Sequence, residues 1–348
     1  MGSPTLFDLV AVPTGRTRDE ARRLHRLPAR QAAPRGAEDP RRPRTGERRD
    51  QLRWFHRRAA PADQPARERD RPAGVPRPVR RRRHYADRAE LQRQPLDANA
   101  ARREKHSADI LRSIEVAAAL GVKRVVTMSG TPGTYAHATL PAWNVLPWDS
   151  AYLDVRDYQW NEVAIPFWTM VQERAAHFDV KVALEMHPHN LVYNPATLER
   201  LVTETNATHI GAELDPSHLF WQGIEPIEAV DHLGSLVFNA AAKDTRINAA
   251  ARINGVLDDR FGRVLPDAPN ALGLGGPFTL STWPKNSSWD FVAVGRGHDV
   301  NWWRGFLQAI ERVDPDMPVN IEHEDQELDQ MDGLRSAAAT LLAAAGKA

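Results

Sequence analysis

The strongest constraint on this chain is a series of short apolar segments, from about residue 107 onward, each ending in ionisable or amide side chains. Val180 to Met186 (VKVALEM) carries Glu185 near its end and runs into His187-Pro188-His189. His209 to Leu214 leads into Asp215-Pro216-Ser217-His218, Leu236 to Ala242 into Lys243-Asp244, and Pro318 to Glu322 into His323-Glu324-Asp325. Between them lie helical patterns over Pro195–Thr205, Pro226–Leu233, Val300–Val313 and Leu328–Ala345. An earlier strand, Lys123 to Gly130, follows a helical stripe of Ile110, Ile114, Ala117 and Leu120 that stops at Gly121. A long amphipathic helix is predicted over Asp157–Phe178, kinked or broken at Pro166.

Apolar strands alternating with helices imply parallel strands covered on their faces. Functional groups at the C-terminal ends of several strands select, within that class, an α/β (β/α)₈ TIM barrel. No GxGxxG opens a strand–helix unit, which argues against a dinucleotide-binding fold. Counting back from the last strand, the five visible ones are strands four to eight, so strands one to three must lie within residues 1–106. Only Leu6 to Val12 reads as a strand there, which leaves open whether the barrel is complete. A stretch from about Asn248 to Asp290, rich in Gly, Pro and Trp, is too long for an ordinary connection and is predicted to cover the mouth of the site.

Residues 1–106 form the other division of the chain. The first 100 residues hold 25 Arg, 12 Pro and 13 acidic residues with no Ile or Lys, so the net charge of +1 conceals +12 here and −11 in the remainder. Three readings compete for this segment: a disordered basic arm, a nucleic-acid-binding tail, and a shifted reading frame of a GC-rich gene. Aromatic residues for base stacking are few, namely Trp54, Phe55 and Tyr85, which disfavours the second. The chain has no cysteine, so any metal must be held by carboxylate, imidazole or amide, and a reducing cytoplasm is the expected compartment. With no signal pattern and no membrane-length apolar run, neither a membrane nor a nucleic-acid partner is expected.

Glu185, Asp215 and Glu322 would repel one another on one rim unless a cation lay among them. Each alone would more often be a solvated strand-end carboxylate, but their convergence points to one divalent ion, with hard oxygen ligands suiting Mn²⁺ or Mg²⁺ and with Co²⁺ or Zn²⁺ as alternatives. These segments resemble the sugar phosphate isomerase/epimerase family with the xylose-isomerase-like barrel, over about residues 107–345. The resemblance implies metal ligation by Glu185 in ALEMHPHN, Asp215 in ELDPSHLFWQG and Glu322 in NIEHED, with Glu185 and Glu322 also shuttling a proton through an enediolate. It further implies a His after the seventh strand, in H-x-H-x-K-D; this chain has Asn239-Ala240-Ala241-Ala242-Lys243-Asp244 instead. His298, in a Gly-flanked turn, is the first substitute ligand considered, and the amide oxygen of Asn239 is the fallback.

His187 and His218 are expected at the substrate, as are Lys243 and Arg246 for an anionic group. Trp221, Trp283, Trp302 and Trp303 are candidates for a sugar-stacking surface, although core packing is the commoner fate of such residues. Glu324 shares strand parity with Glu322 and could replace it. Gly273-Leu274-Gly275-Gly276 reads more readily as a flexible loop than as a phosphate cradle. The leading expectation is a sugar isomerase or epimerase that forms a homo-oligomer. The runner-up is a lyase cleaving a 3-keto (C-)glycoside with a small second subunit, and a defective, non-catalytic product is the bland alternative. Cleavage of abasic DNA on the same barrel is disfavoured by the missing imidazoles.

Overall fold

Each strand predicted from Lys123 onward, and each helix predicted from Pro195 onward, forms at its expected place. The computed structural model describes residues 11–12, 89–91, 94–269, 271–274 and 278–347. Most of the Arg/Pro-rich division, Leu6 to Val10 within it, and the Gly275-Gly276 pair lie outside the described residues.

The first described helix, α1 (Ala100–Leu120), starts ten residues before the predicted stripe that opens at Ile110. The Asn99 side chain accepts the Arg102 N–H and caps its first turn, and Gly121 ends it at φ 75°. Strand β3 (Arg124–Met128) follows. The single helix predicted over 157–178 is instead three segments: α2 (Ser150–Asp157), a π-helical stretch Tyr158–Ala164, and α3 (Ile165–Phe178). Pro166 has no N–H to donate, and the backbone widens just ahead of it, with the Ile165 N–H reaching back to the Trp160 carbonyl.

Then come β4 (Lys181–Glu185), α4 (Pro195–Thr205), β5 (Ile210–Leu214), the short α5 (Pro216–Phe220), α6 (Pro226–Leu233) and β6 (Val237–Ala242). A hairpin pairs β7 (Asp244–Ile247) with β8 (Trp289–Val292), with the short α7 (Ala251–Asn254) between them, and the chain closes with α8 (Val300–Val313), β9 (Val319–Ile321) and α9 (Gln330–Ala344). Asn194 and Thr197 cap α4 reciprocally, and Asp299 and Asp329 cap α8 and α9, so short polar residues start these helices on the register their apolar faces require.

The main sheet runs β2, β3, β4, β5, β6, β9, all parallel, where β2 is Ala89–Leu91. Strand β2 was not anticipated; it occupies the place of the third barrel strand. Of the predicted strand Leu6–Val12 only β1 (Ala11–Val12) is described, and it runs antiparallel to β9, unlike the first strand of a closed parallel barrel. Helices cover the sheet through fully buried Trp168, Leu198, Trp303 and Phe306, among others. No helix among the described residues is long and apolar enough to cross a membrane.

Two features of this frame position the site. Register places Met128, Glu185, Glu213 and Asn239 side by side on one face of the sheet, and it pairs Ala241 with Asn320, two residues before Glu322. The long insertion rises from the β7–β8 hairpin and is held at its far side by Arg102 of α1, whose guanidinium donates to the Leu274 carbonyl (3.3 Å) and lies 4.5 Å from the Phe278 ring.

Candidate metal centre

Glu185 is the last residue of β4, Asp215 follows β5 and caps α5, and Glu322 directly follows β9. Parallel pairing fixes all three at one level: the Glu322 N–H continues the ladder to the Ala242 carbonyl at 3.0 Å. Their exposures are 4%, 3% and 7%, and one oxygen from each lies within 4.8 Å of the others. A second group at the same spacing joins Glu185 to His187 and His218. The rings of His187 and His218 pack 4.0 Å apart, and His218 Nε2 is 2.9 Å from Glu185 Oε1.

Lys243 leaves β6 and enters the middle of this cluster. Its Nζ is 3.0 Å from Asp215 Oδ2, 3.3 Å from His218 Nε2, and 3.4 Å from both Glu322 Oε2 and Glu324 Oε1. Asp215 Oδ1 accepts the Ser217 N–H at 2.9 Å, whereas Oδ2, close to Lys243 and to His218, has no aligned hydrogen bond. Among the described residues, three carboxylates therefore lie within 3.4 Å of one ammonium.

The titration behaviour follows from that imbalance. Burial pushes Glu185 upward and Glu322 up to about 8, in each case more strongly than Lys243 and the other cations pull down. Burial also raises Asp215, but the adjacent Lys243 and His218 outweigh it and hold the carboxyl below its ordinary value. For Lys243 burial acts downward and is overcome by Asp215, Glu324, Glu322 and Glu185, which keep it well above the usual range. His187 and His218 are pushed down to about 4, chiefly by burial and secondly by neighbouring positive charge, so both are neutral near pH 7.

These residues fit a divalent ion on their chemistry. The donors are hard oxygens, several carboxylates share Lys243 among the described residues, and one buried carboxylate oxygen, Asp215 Oδ2, lacks an aligned hydrogen bond.

The remaining candidates are distributed differently. His298 is not part of either group: its Nδ1 is 2.7 Å from Asp244 Oδ1 and its ring stacks on Phe220 at 3.7 Å. Asn239 donates through Nδ2 to Glu213 Oε1 at 2.8 Å, while its Oδ1 is buried without a hydrogen bond. Arg246, predicted to meet an anionic group, is paired with Glu327 (2.9 Å) and Asp290 (3.4 Å). Among the tryptophans, Trp303 is core and its Nε1 reaches Asp244 Oδ2, and Trp302 donates to Glu225. Trp221 stacks flat on Trp289 (4.7 Å, 5°), which meets Trp283 edge-on.

Phe291, not singled out in the sequence, completes this aromatic wall against the cluster, 5.3 Å from the His218 ring and 4.9 Å from Lys243 Nζ. Nothing in the sequence around it marks it, because it comes from the return strand of the insertion. Glu213, buried on the site face beneath Asp215, was also missed; its i, i+2 spacing from Asp215 was the available signal. A separate cleft of about 260 Å³, lined by Trp143, Trp160 and Arg200 among others, includes none of the cluster residues.

The chain is similar to several known proteins. The uncharacterized protein YfiH of Bacillus subtilis (strain 168) is 34% identical over 234 residues, which span 66% of this chain and 68% of that protein. A xylose isomerase-like TIM barrel protein from Mycobacterium smegmatis, solved in complex with magnesium, is 15% identical with a TM-score of 0.47, covering 74% of this chain and 72% of that one. The 3-keto-D-glucoside 4-epimerase YcjR from E. coli is 14% identical with a TM-score of 0.47, covering 74% and 78%. The profile described as xylose isomerase-like TIM barrel matches residues 81–344, and with the barrel strands and the strand-end cluster in place, the chain belongs to the xylose isomerase-like TIM barrel family.

Proposed function

We propose that this chain is a divalent-metal-dependent sugar isomerase or epimerase that moves a proton at a carbon next to a carbonyl. The observation that carries the reading is the pair Glu185 and Glu322, two buried carboxyls from non-adjacent strands, both raised toward neutrality and close enough to share one small substrate. A carboxylate whose affinity for protons has been raised is a competent base at neutral pH, and its conjugate acid can return the proton. With one group removing a proton and the other delivering it, the configuration inverts or the carbonyl moves to the neighbouring carbon.

Glu185, Asp215 and Glu322 would hold the ion, which when bound polarises the substrate carbonyl and neighbouring hydroxyl. His218, held against Glu185, fixes the orientation of that carboxyl and is neutral, so it can donate to or accept from a sugar hydroxyl. His187 stacks on His218 and limits its movement. Lys243 offers an ammonium for a developing oxyanion. Phe291 and the insertion that carries it screen the cluster from water.

The test is incubation of the full chain with a panel of ketoses and 3-keto glycosides in D₂O with Mn²⁺. Deuterium should enter the carbon next to the carbonyl, and Glu185→Gln or Glu322→Gln should each abolish it. Full exchange in either variant would refute the assignment. A lyase expelling an aglycone from a 3-keto glycoside is the second reading, favoured by Asn239-Ala240-Ala241 standing where H-x-H is expected and by the long insertion between β7 and β8. Release of free aglycone, with a small subunit co-purifying, would select it. A chain that neither exchanges deuterium nor releases aglycone would be the non-catalytic product.

A further inference from the structure

The connection between β3 and α2 leaves large apolar side chains in water. Leu146 is 64% exposed, Trp148 89%, and Tyr152, in the first turn of α2, 57%. Such side chains scattered singly need no explanation, but these follow one another along a short stretch whose backbone is strained. Leu146 sits at φ 56°, a conformation that a bulky residue rarely adopts, and the Trp148 N–H closes back onto the Leu146 carbonyl at 2.8 Å across Pro147. Pro147 fixes its own φ, so the turn that presents Trp148 to solvent is set by the sequence.

Beside this projection lies the cleft of about 260 Å³, which Leu146 and Pro147 line together with Trp143, Trp160, Tyr193 and Arg200. The π-helical stretch places Trp160 there, a rare backbone geometry that recurs at functional sites, and the Arg200 guanidinium lies 4.1 Å from its ring. Trp143 is pinned by donation from Nε1 to the Asn190 carbonyl (3.0 Å) and by edge contact with Tyr193 (5.3 Å), so this wall is preformed. The volume falls below the roughly 300–1,000 Å³ of small-molecule sites and is ample for one large aromatic side chain. Among the described residues, the charged side chains lining the cleft are Arg156 and Arg200, whereas residues 144–155, which carry the projection, hold Asp149 and Asp154 and no base. Each arginine touches one carboxylate of its own helix, Asp157 and Glu204, and keeps further N–H donors for a second. Projection and cleft are therefore complementary in apolar character and in sign of charge.

Two complementary features side by side on one surface are what a two-fold axis requires, since each then meets its counterpart on a second copy. We propose that this chain forms a two-fold dimer in which Trp148 of each copy seats in the Trp143–Trp160 cleft of the other, with Asp149 and Asp154 facing the arginines that line it. Trp148, Tyr152 and Leu146 supply roughly 400 Å² of contact, about half of the ~800 Å² per partner in a standard interface, and the rim of the cleft covered in return adds to it. Trp, Tyr and Arg, brought together here, are the residue types that dominate interface energies. Seating a tryptophan against Trp143 also braces the Asn190 carbonyl, and with it the His187–Asn190 turn at the edge of the carboxylate cluster. The inference rests neither on a metal nor on the proposed reaction.

Analytical ultracentrifugation of the full chain reads the association directly. The wild type should sediment as a dimer of the 39.0 kDa chain. Trp148→Asp removes the projection, and Ala196→Trp fills the cleft from an exposed position on α4. Each should weaken association by about thirtyfold or more, with circular dichroism confirming the fold; Trp148→Ser gives the same comparison if the Asp variant does not fold. Mixing the two variants should restore part of the dimer, because the mixed pair keeps one of its two contacts. A wild type that stays monomeric at about 100 μM, or a dimer that either folded variant leaves unchanged, overturns the proposal. No recovery on mixing overturns the reciprocal arrangement. A different chain co-purifying with a monomeric wild type and lost in Trp148→Asp would give the surface to that chain, and likewise overturn the dimer.

Discussion

Lys243 and Asp244 are neighbours in the chain and sit in opposite electrostatic situations. Lys243 enters a group of carboxylates that it only partly neutralises. Asp244, fully buried one residue later, is saturated: Oδ2 accepts the N–H groups of Gly295, Gly297 and His298 at 3.0–3.1 Å, and Oδ1 accepts from Thr245 and from His298 Nδ1. Gly297 permits that approach, since a Cβ there would lie 2.5 Å from Asp244 Oδ1 and 2.3 Å from the Thr245 carbonyl. The difference separates a site from a support. A buried charge whose partners are complete holds loops in place, and a buried cluster in which several carboxylates share one ammonium among the described residues is poised to take a ligand.

If that contrast is right, mutations on its two sides fail in different assays. The largest effect is expected from Glu322→Gln or Glu185→Gln, with turnover falling by roughly 10²–10⁴-fold and thermal stability unchanged or higher, because Gln replaces a buried carboxyl whose ionised form burial disfavours. A large loss of stability in these variants would place the two carboxyls with the support instead. Asp244→Ala should do the reverse, costing about 3 kcal/mol or more in urea unfolding because several buried donors lose their acceptor.

A smaller effect concerns pH. In metal-free protein the Glu322 carboxyl, raised to about 8, is protonated when folded and ionised when unfolded, so stability falls as pH rises toward that value. Below about pH 6.5 the two imidazoles act oppositely: pushed down to about 4, they bind fewer protons folded than unfolded. The net loss should therefore appear between about pH 6.5 and 8, amount to about 1–2 kcal/mol, and vanish in Glu322→Gln. A flat profile in chelator-treated wild type would show the cluster to be better compensated than its geometry implies. The smallest effect belongs to His298→Ala, with about 1 kcal/mol of stability lost and Mn²⁺ affinity unchanged; a loss of metal would restore it to the ligand set.

The contrast also explains what could be read from the sequence. Strands β3 to β6 and β9, and the three carboxylates that end β4, β5 and β9, were legible because buried parallel strands are continuously apolar and a charged residue at their ends stands out. Strand β2 was not, since three residues, Ala89-Glu90-Leu91, set among arginines carry no period. His298 was misplaced because a Gly-flanked turn beside a histidine is equally the signature of a loop wrapped around a buried aspartate. Lys243 was seen, but its central position depends on the sheet register that brings β6 between β5 and β9. Phe291 reaches the cluster only through the pairing of β7 with β8 across a long insertion, a contact no local pattern encodes.

The central claim, that Glu185, Asp215 and Glu322 form a metal centre, is tested most directly by calorimetric titration of the full chain and of Asp215→Asn with Mn²⁺ at pH 8. The account predicts one saturable site per chain in the wild type and none in the variant. Equal binding in the two proteins, or no saturable binding in the wild type, would contradict it.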